Sequence, residues 1–434
     1  MALFRSRRLY LATAFAALAA TGLVVTSARP QRRAGGSRFA QLERAAIAQP
    51  FVGVTADGNV QAGLFPVRST GISTQPVLDA ARAFLAALTE EQRGRARFAV
   101  DDPEWRRWAN QHSLPRQGVP LAELDEGQRN AAYALLQAGL SAKGFQRSRD
   151  IMRLNHTLGE ITSNFEELDE WLYYLTFMSE PSEHGPWGWQ LDGHHLIVNY
   201  FVLGDQVVMT PTFMGSEPVV AESGKYEGVA VMQDGQRRGL DLVRSLTSEQ
   251  RAKAVLASGK TGNSALAEAF RDNIVLDYAG IPAREINPDQ HKLLLALVGE
   301  YVGNMSDGHA GVKMAEVRQH LGQTYFAWIG ESGPESTFYY RVHSPVILIE
   351  FDHQRPVFLR HLPRRPTRQH IHSVTRTPNG NDYGKDLLRQ HYERQHRAEL
   401  AAPRAAPGQA RRQPRRRGNR ALPARSRGDR TKCS

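Results

Sequence analysis

The chain has 434 residues, 41% hydrophobic and 23% charged, with a formal net charge of +11 and one cysteine, Cys433. That length supports a large core in one or two domains, and a lone cysteine near the C-terminus excludes an intramolecular disulfide and any cysteine-based zinc site or haem attachment. The positive charge sits at the ends, with seven arginines and no acid before residue 39 and eleven arginines and one lysine against two acids after residue 394; the body between is mildly acidic and offers no groove for nucleic acid.

Arg5, Arg7 and Arg8 precede an uncharged, mostly apolar run from Leu9 to Val25, and Thr26-Ser27-Ala28 supplies small residues for cleavage. This predicts an export signal over 1–28. Ser6-Arg7-Arg8-Leu9-Tyr10-Leu11 resembles the twin-arginine form, an address read by a receptor; an ordinary export signal and an uncleaved anchor fit the same residues. The protein is therefore expected in the periplasm or secreted. Because the twin-arginine route carries proteins already folded, often around a cofactor, it adds a modest argument for a bound metal. Residues 29–50 read as a flexible linker, and 51–397 as a single large domain.

Helix starts come next. Pro76 opens a helix over 76–88. Thr89, Asp125, Thr247 and Asn287 each stand three residues before a glutamine, the spacing of a capping box, and predict helices over 90–97, 126–142, 248–257 and 288–302. Strand signals fall in two clusters. His195 to Leu203, Gly204-Asp205 and Gln206 to Thr210 form a hairpin pattern. Thr324 to Gly330, Phe338 to His343 and Val346 to Asp352 form the second cluster. Helices in the N-terminal and middle parts packed with antiparallel hairpins give an α+β class. Beyond 398 the chain is rich in Arg, Pro and Ala without apolar periodicity, and a disordered basic tail is expected over 398–434.

The densest chemistry lies between 339 and 392. On a strand, His370 and His372 point to one face, the start of a metal or acid/base site. Glu350 and Asp352 share a strand face opposite Phe351 and His353. Arg376 follows the histidines, and His391 and Tyr392 sit on a helix that begins near Lys385. These residues predict a divalent metal, Zn, Fe or Mn, with ligands drawn from His370, His372, His195, His353 and His391. Glu350, Asp352 and Arg376 are the catalytic candidates. Arg376 equally fits a structural pair with Glu350 or Asp382. A second group, His184 to His195, places Trp187 and Trp189 on one face, as a stacking wall or as core. With Arg341 and Tyr340 they are the substrate-binding candidates. His194 and His195, being adjacent, are expected on opposite faces, so that at most one joins the site. Glu217, in the loop 211–218, is a further carboxylate. There is no Gly-x-Ser-x-Gly, P-loop, Rossmann glycine run or His-Glu-x-x-His, so no nucleotide cofactor is expected.

Several segments occur in order: His194-His195-Leu196, Pro211 to Pro218, Tyr278-Ala279-Gly280-Ile281, Tyr325 to Gly330, Phe338-Tyr339-Tyr340-Arg341, Glu350 to Gln354, His370 to Gly384 and Leu387 to Tyr392. Together they resemble the bacterial and fungal family known as domain of unknown function 3500 (DUF3500), over roughly residues 75–395. The resemblance implies one large domain, often secreted, and supplies no activity.

The expectation is thus an exported metal-dependent enzyme, a hydrolase by default and an oxidoreductase next, acting on a small anionic substrate. The alternative is a non-catalytic periplasmic binding protein for a small molecule or glycan. Membrane contact is expected only through an uncleaved signal or the basic tail.

Overall fold

Four helices begin at the capping boxes. Thr89, Asp125, Thr247 and Asn287 each accept the backbone N–H of the glutamine three residues on, and that glutamine's side chain accepts the first residue's own N–H. These bonds satisfy donors that a helix start otherwise leaves open. The computed structural model describes residues 36–401. The expected signal over 1–28 lies outside the described residues, as does the expected tail from 402 on.

The helices are α1 (Gly36–Ile47), α2 (Gln75–Ala87), α3 (Glu90–Ala96), α4 (Glu126–Gly139), α5 (Ala142–Thr162), α6 (Gln233–Ser245), α7 (Ser248–Ala254), α8 (Pro288–Val302), α9 (Asp307–Gln319) and α10 (Lys385–Ala401). The strands are β1 (Arg97–Phe98), β2 (Val119–Pro120), β3 (Tyr173–Met178), β4 (Pro186–Gly193), β5 (Leu196–Leu203), β6 (Gln206–Val208), β7 (Thr212–Ser216), β8 (Val255–Ala257), β9 (Ile281–Pro282), β10 (Tyr325–Gly330), β11 (Phe338–His343), β12 (Leu348–His353) and β13 (Ile371–Arg376). All thirteen join one mixed sheet with the order β1-β3-β4-β5-β7-β13-β12-β11-β10-β8 along its main path. The class is α+β. Most pairs are antiparallel; β1 with β3 and β8 with β10 are parallel.

Several segments differ from expectation: Thr212–Ser216, read as part of a loop, is strand β7, and Val255–Ala257, read as the end of a helix, is strand β8. Residues expected as a linker contain α1, which is tied to the body where the Arg106 guanidinium donates to Ala46 O and Gln49 O. The helix α10 runs through the expected boundary at 397 to Ala401. Among the described residues no helix is long and apolar enough to cross a membrane.

The two faces of β11–β13 are unlike. One carries Phe338, Tyr340, Phe351 and His353, and packs on α6 and α8: Tyr340 stacks on Phe351 at 4.9 Å, and the Tyr340 hydroxyl meets Tyr301 of α8 and Gly235 O of α6. The other carries Arg341, Glu350, Asp352, His372 and Arg376. Instead of a helix, the irregular segment 258–280 covers it. Its backbone N–H groups find acceptors in the sheet's buried carboxylates, as a covering loop requires.

Candidate metal centre

Three adjacent strands bring three imidazoles together. In the sheet β7 lies between β5 and β13, with Leu196 opposite Met214 and His372 opposite Gly215. His195, the last residue of the two-residue turn into β5, therefore stands across Gly215 from His372, and Gly215 donates its N–H to His195 O at 2.8 Å. His370 immediately precedes β13. Glycine at 215 is what lets the rings meet: a Cβ there would lie 2.6 Å from Ile371 O, 3.3 Å from His372 Cδ2 and 3.4 Å from His195 Cδ2. The His195 backbone has φ +61°, a conformation that non-glycine residues adopt rarely and that clusters at functional sites.

The Nε2 atoms of His195, His370 and His372 converge, at 3.1 Å between His195 and His372, 3.3 Å between His195 and His370, and 3.0 Å between His370 and His372. All three residues are buried. The other ring nitrogens fix the tautomers. His370 Nδ1 lies 2.7 Å from Arg355 O, and His372 Nδ1 lies 2.7 Å from Glu268 Oε1. A carbonyl and a carboxylate only accept, so both Nδ1 atoms carry the proton and both Nε2 atoms present lone pairs. Burial, followed by the neighbouring imidazoles, holds His195 and His370 well below the ordinary histidine range. His370 and His372 therefore aim their Nε2 atoms at the point where His195 Nε2 also stands.

A second layer supports the first. His194 stacks on His195, with ring centroids 4.0 Å apart, and its Nδ1 donates to Asn155 Oδ1 at 2.7 Å. Their stacking corrects the expectation of opposite faces, because both occupy a turn rather than a strand; only His195 joins the cluster. Glu217 Oε1 accepts the N–H groups of Val357, Phe358 and Leu359, while Oε2 stands 3.6 Å from His370 Nδ1 with no hydrogen bond. Burial raises the Glu217 carboxyl.

The remaining candidates lie elsewhere. Glu350 accepts Leu266 N–H, Ala267 N–H and the Tyr339 hydroxyl. Burial pushes its carboxyl up to about 7, against those donors. Asp352 accepts Ser264 and Ala265 N–H, and Lys260 Nζ stands 2.8 Å from it. Arg376, wholly buried, donates to Asp272, Asp382, Ala267 O and Glu268 O. These three groups, expected to do chemistry, instead anchor the segment that delivers Glu268 to His372. Of the two expected pairings of Arg376, the one with Asp382 is present, at 3.0 Å.

Arg341 is buried and donates to Asp277 O. Tyr340, Trp187 and Trp189 are wholly buried. Trp189 stacks on Tyr200 at 5.0 Å. These aromatics are core, the second of the two readings given for Trp187 and Trp189. His353 faces α6: its Nδ1 accepts Phe338 N–H and its Nε2 donates to Gln236 Oε1 at 3.0 Å, so no lone pair remains for an ion. His391 lies on α10, with Arg394 beside it. Of the five histidines put forward as ligands, the structure gathers three. Glu268 and Gly215 escaped sequence reasoning. Ala267-Glu268-Ala269 carries no motif, and a glycine within a strand signals only a bulge or a close approach.

A family model described as "Protein of unknown function (DUF3500)" matches residues 70–385. No curated protein matches the chain, and no solved structure does.

Proposed function

The chain belongs to the DUF3500 family of proteins of unknown function, and we propose that it is an exported metal-dependent enzyme, hydrolytic by default, whose ion is held by His195, His370 and His372. The observation that carries this reading is the convergence of lone pairs. Two imidazoles locked as Nδ1–H tautomers hold their Nε2 atoms 3.0 Å apart. Such an arrangement is repulsive unless a cation stands between them. Separations of 3.0–3.3 Å would suit one ion held by all three nitrogens.

Zinc is the first choice, with iron or manganese next. Three neutral ligands leave the full dipositive charge on the ion, which favours activation of a bound water near neutral pH. Glu268 on His372 is the carboxylate–histidine–metal arrangement that orients a ligand and raises its basicity. No carboxylate of the Glu350–Asp352 pair is placed to act as base, so in this reading an ion held by the three histidines would itself supply the activation of water. Oxygen chemistry on iron or copper is the runner-up. The binding-protein alternative drew on Trp187, Trp189, Tyr340 and Arg376, all of them buried. Export rests on the sequence of residues 1–28.

Metal analysis of the purified protein tests the reading. About one equivalent of metal is expected, falling to background in the His370→Ala/His372→Ala variant. A substoichiometric content that the double substitution leaves unchanged would sink it.

A further inference from the structure

A cavity of about 210 Å³ lies beside the histidine cluster, between Asn110-Gln111 and the 265–271 loop. Two of its walls touch the cluster directly. Glu268 accepts the hydrogen bond of His372 Nδ1–H, and Asn110 O accepts the backbone N–H of His195 at 3.4 Å. We infer that this cavity receives the substrate, and that the substrate is a small carboxylate with an apolar body, held by Arg271. The inference rests on the metal reading above.

Arg271 lines the cavity. Arg271 is solvent-exposed, and among the described residues its guanidinium has neither an ion pair nor a hydrogen bond, whereas the buried Arg106, Arg341 and Arg376 are each engaged by the protein. The adjacent Asp272 is not available to it, because Arg106, Arg376 and the Tyr383 hydroxyl already occupy that carboxylate. Glu268 commits Oε1 to His372. A fork of donors without a protein partner beside this cavity suits a planar carboxylate. Phe270, with φ +62°, holds the loop in a conformation rare for a non-glycine residue just before Arg271.

The rest of the lining fits the other parts of such a molecule. Leu266 and Phe270, with Phe39 and Leu42 of α1 across from them, give an apolar side. Asn110 Oδ1 and Gln111 Oε1 are buried acceptors without a partner. Buried polar atoms left so are few in folded proteins and call for a water or a ligand donor nearby. The expected anionic substrate thus keeps its arginine, but the arginine is Arg271 rather than Arg341 or Arg376.

The test uses the full protein loaded with Co²⁺, whose visible spectrum reports on ligands near the ion, titrated with benzoate and with neutral benzamide. Benzoate should perturb the spectrum saturably. Arg271→Gln should weaken benzoate by about tenfold or more with Co²⁺ stoichiometry and thermal unfolding unchanged. Arg271→Lys should recover part of the loss, and benzamide should respond little to either change. Benzoate affinity in Arg271→Gln within about twofold of the parent, or no benzoate binding to a fully Co²⁺-loaded protein, overturns the inference and leaves the metal reading intact. Failure to take up Co²⁺ at all overturns both.

Discussion

Each residue of the cluster depends on one neighbour. Gly215 supplies the gap in which the rings meet, so Gly215→Ala forces the Ile371 carbonyl and two imidazoles apart. Urea unfolding should show a loss of about 1–3 kcal/mol, with metal content reduced although every ligand is present. Glu268 holds the His372 tautomer. Glu268→Ala should weaken metal affinity by about 10–100-fold in chelator competition, and Glu268→Gln, whose amide oxygen still accepts, should lose much less. His353 serves stability alone. Burial first of all lowers its imidazole to about 3, and both nitrogens are satisfied in the neutral form. A base depressed in the fold contributes stability that is present above its unfolded pKa of about 6.5 and lost as pH falls toward 3, by roughly 1.4 kcal/mol per pH unit. The unfolding free energy of wild type minus that of His353→Gln should shrink with that slope between pH 6.5 and 4; a flat difference would contradict the assignment. At this scale the sequence was partly legible. Period-2 geometry put His370 and His372 on one face. It misjudged His194 and His195 because a left-handed turn, not a strand, sets their directions. It also left Glu268 invisible, since a residue in irregular chain has no periodicity to betray it.

Among elements, the site is built by β5, β7 and β13 side by side, with the 258–271 segment laid over them. The capping boxes and the strands β5, β6, β10, β11 and β12 could be read directly, because caps and alternation are local signals. What covers a sheet face is not local. Glu350 and Asp352 therefore looked like catalytic carboxylates: their shared face was evident in the sequence, whereas the loop whose N–H groups they accept was not. Asp352 is the more exposing test of this role. Removing it strips Ser264 and Ala265 of their acceptor and leaves Lys260, almost fully buried, without its partner. Asp352→Ala should cost about 3–5 kcal/mol and speed amide exchange across 260–271. Metal affinity should fall as well, because Glu268 rides on the freed segment. A variant with fast exchange but undiminished affinity would show that Glu268 does not depend on this anchor.

For the molecule as a whole, the thirteen-stranded sheet is held by its own ladders and by helices on its apolar face. The three ligands come from chain positions 175 and 177 residues apart, and only the complete sheet brings them into contact. Class and family were legible from ordered motifs spread along the chain, while the ligand set needed the strand order. The account's central claim is that these three imidazoles share one ion. X-ray absorption at the edge of the bound metal, on the protein as purified, tests it most directly. The account predicts three imidazole nitrogens at about 2.0–2.1 Å with one or more further light-atom ligands. A first shell with fewer than two imidazoles, or one unchanged by His195→Ala, would contradict it.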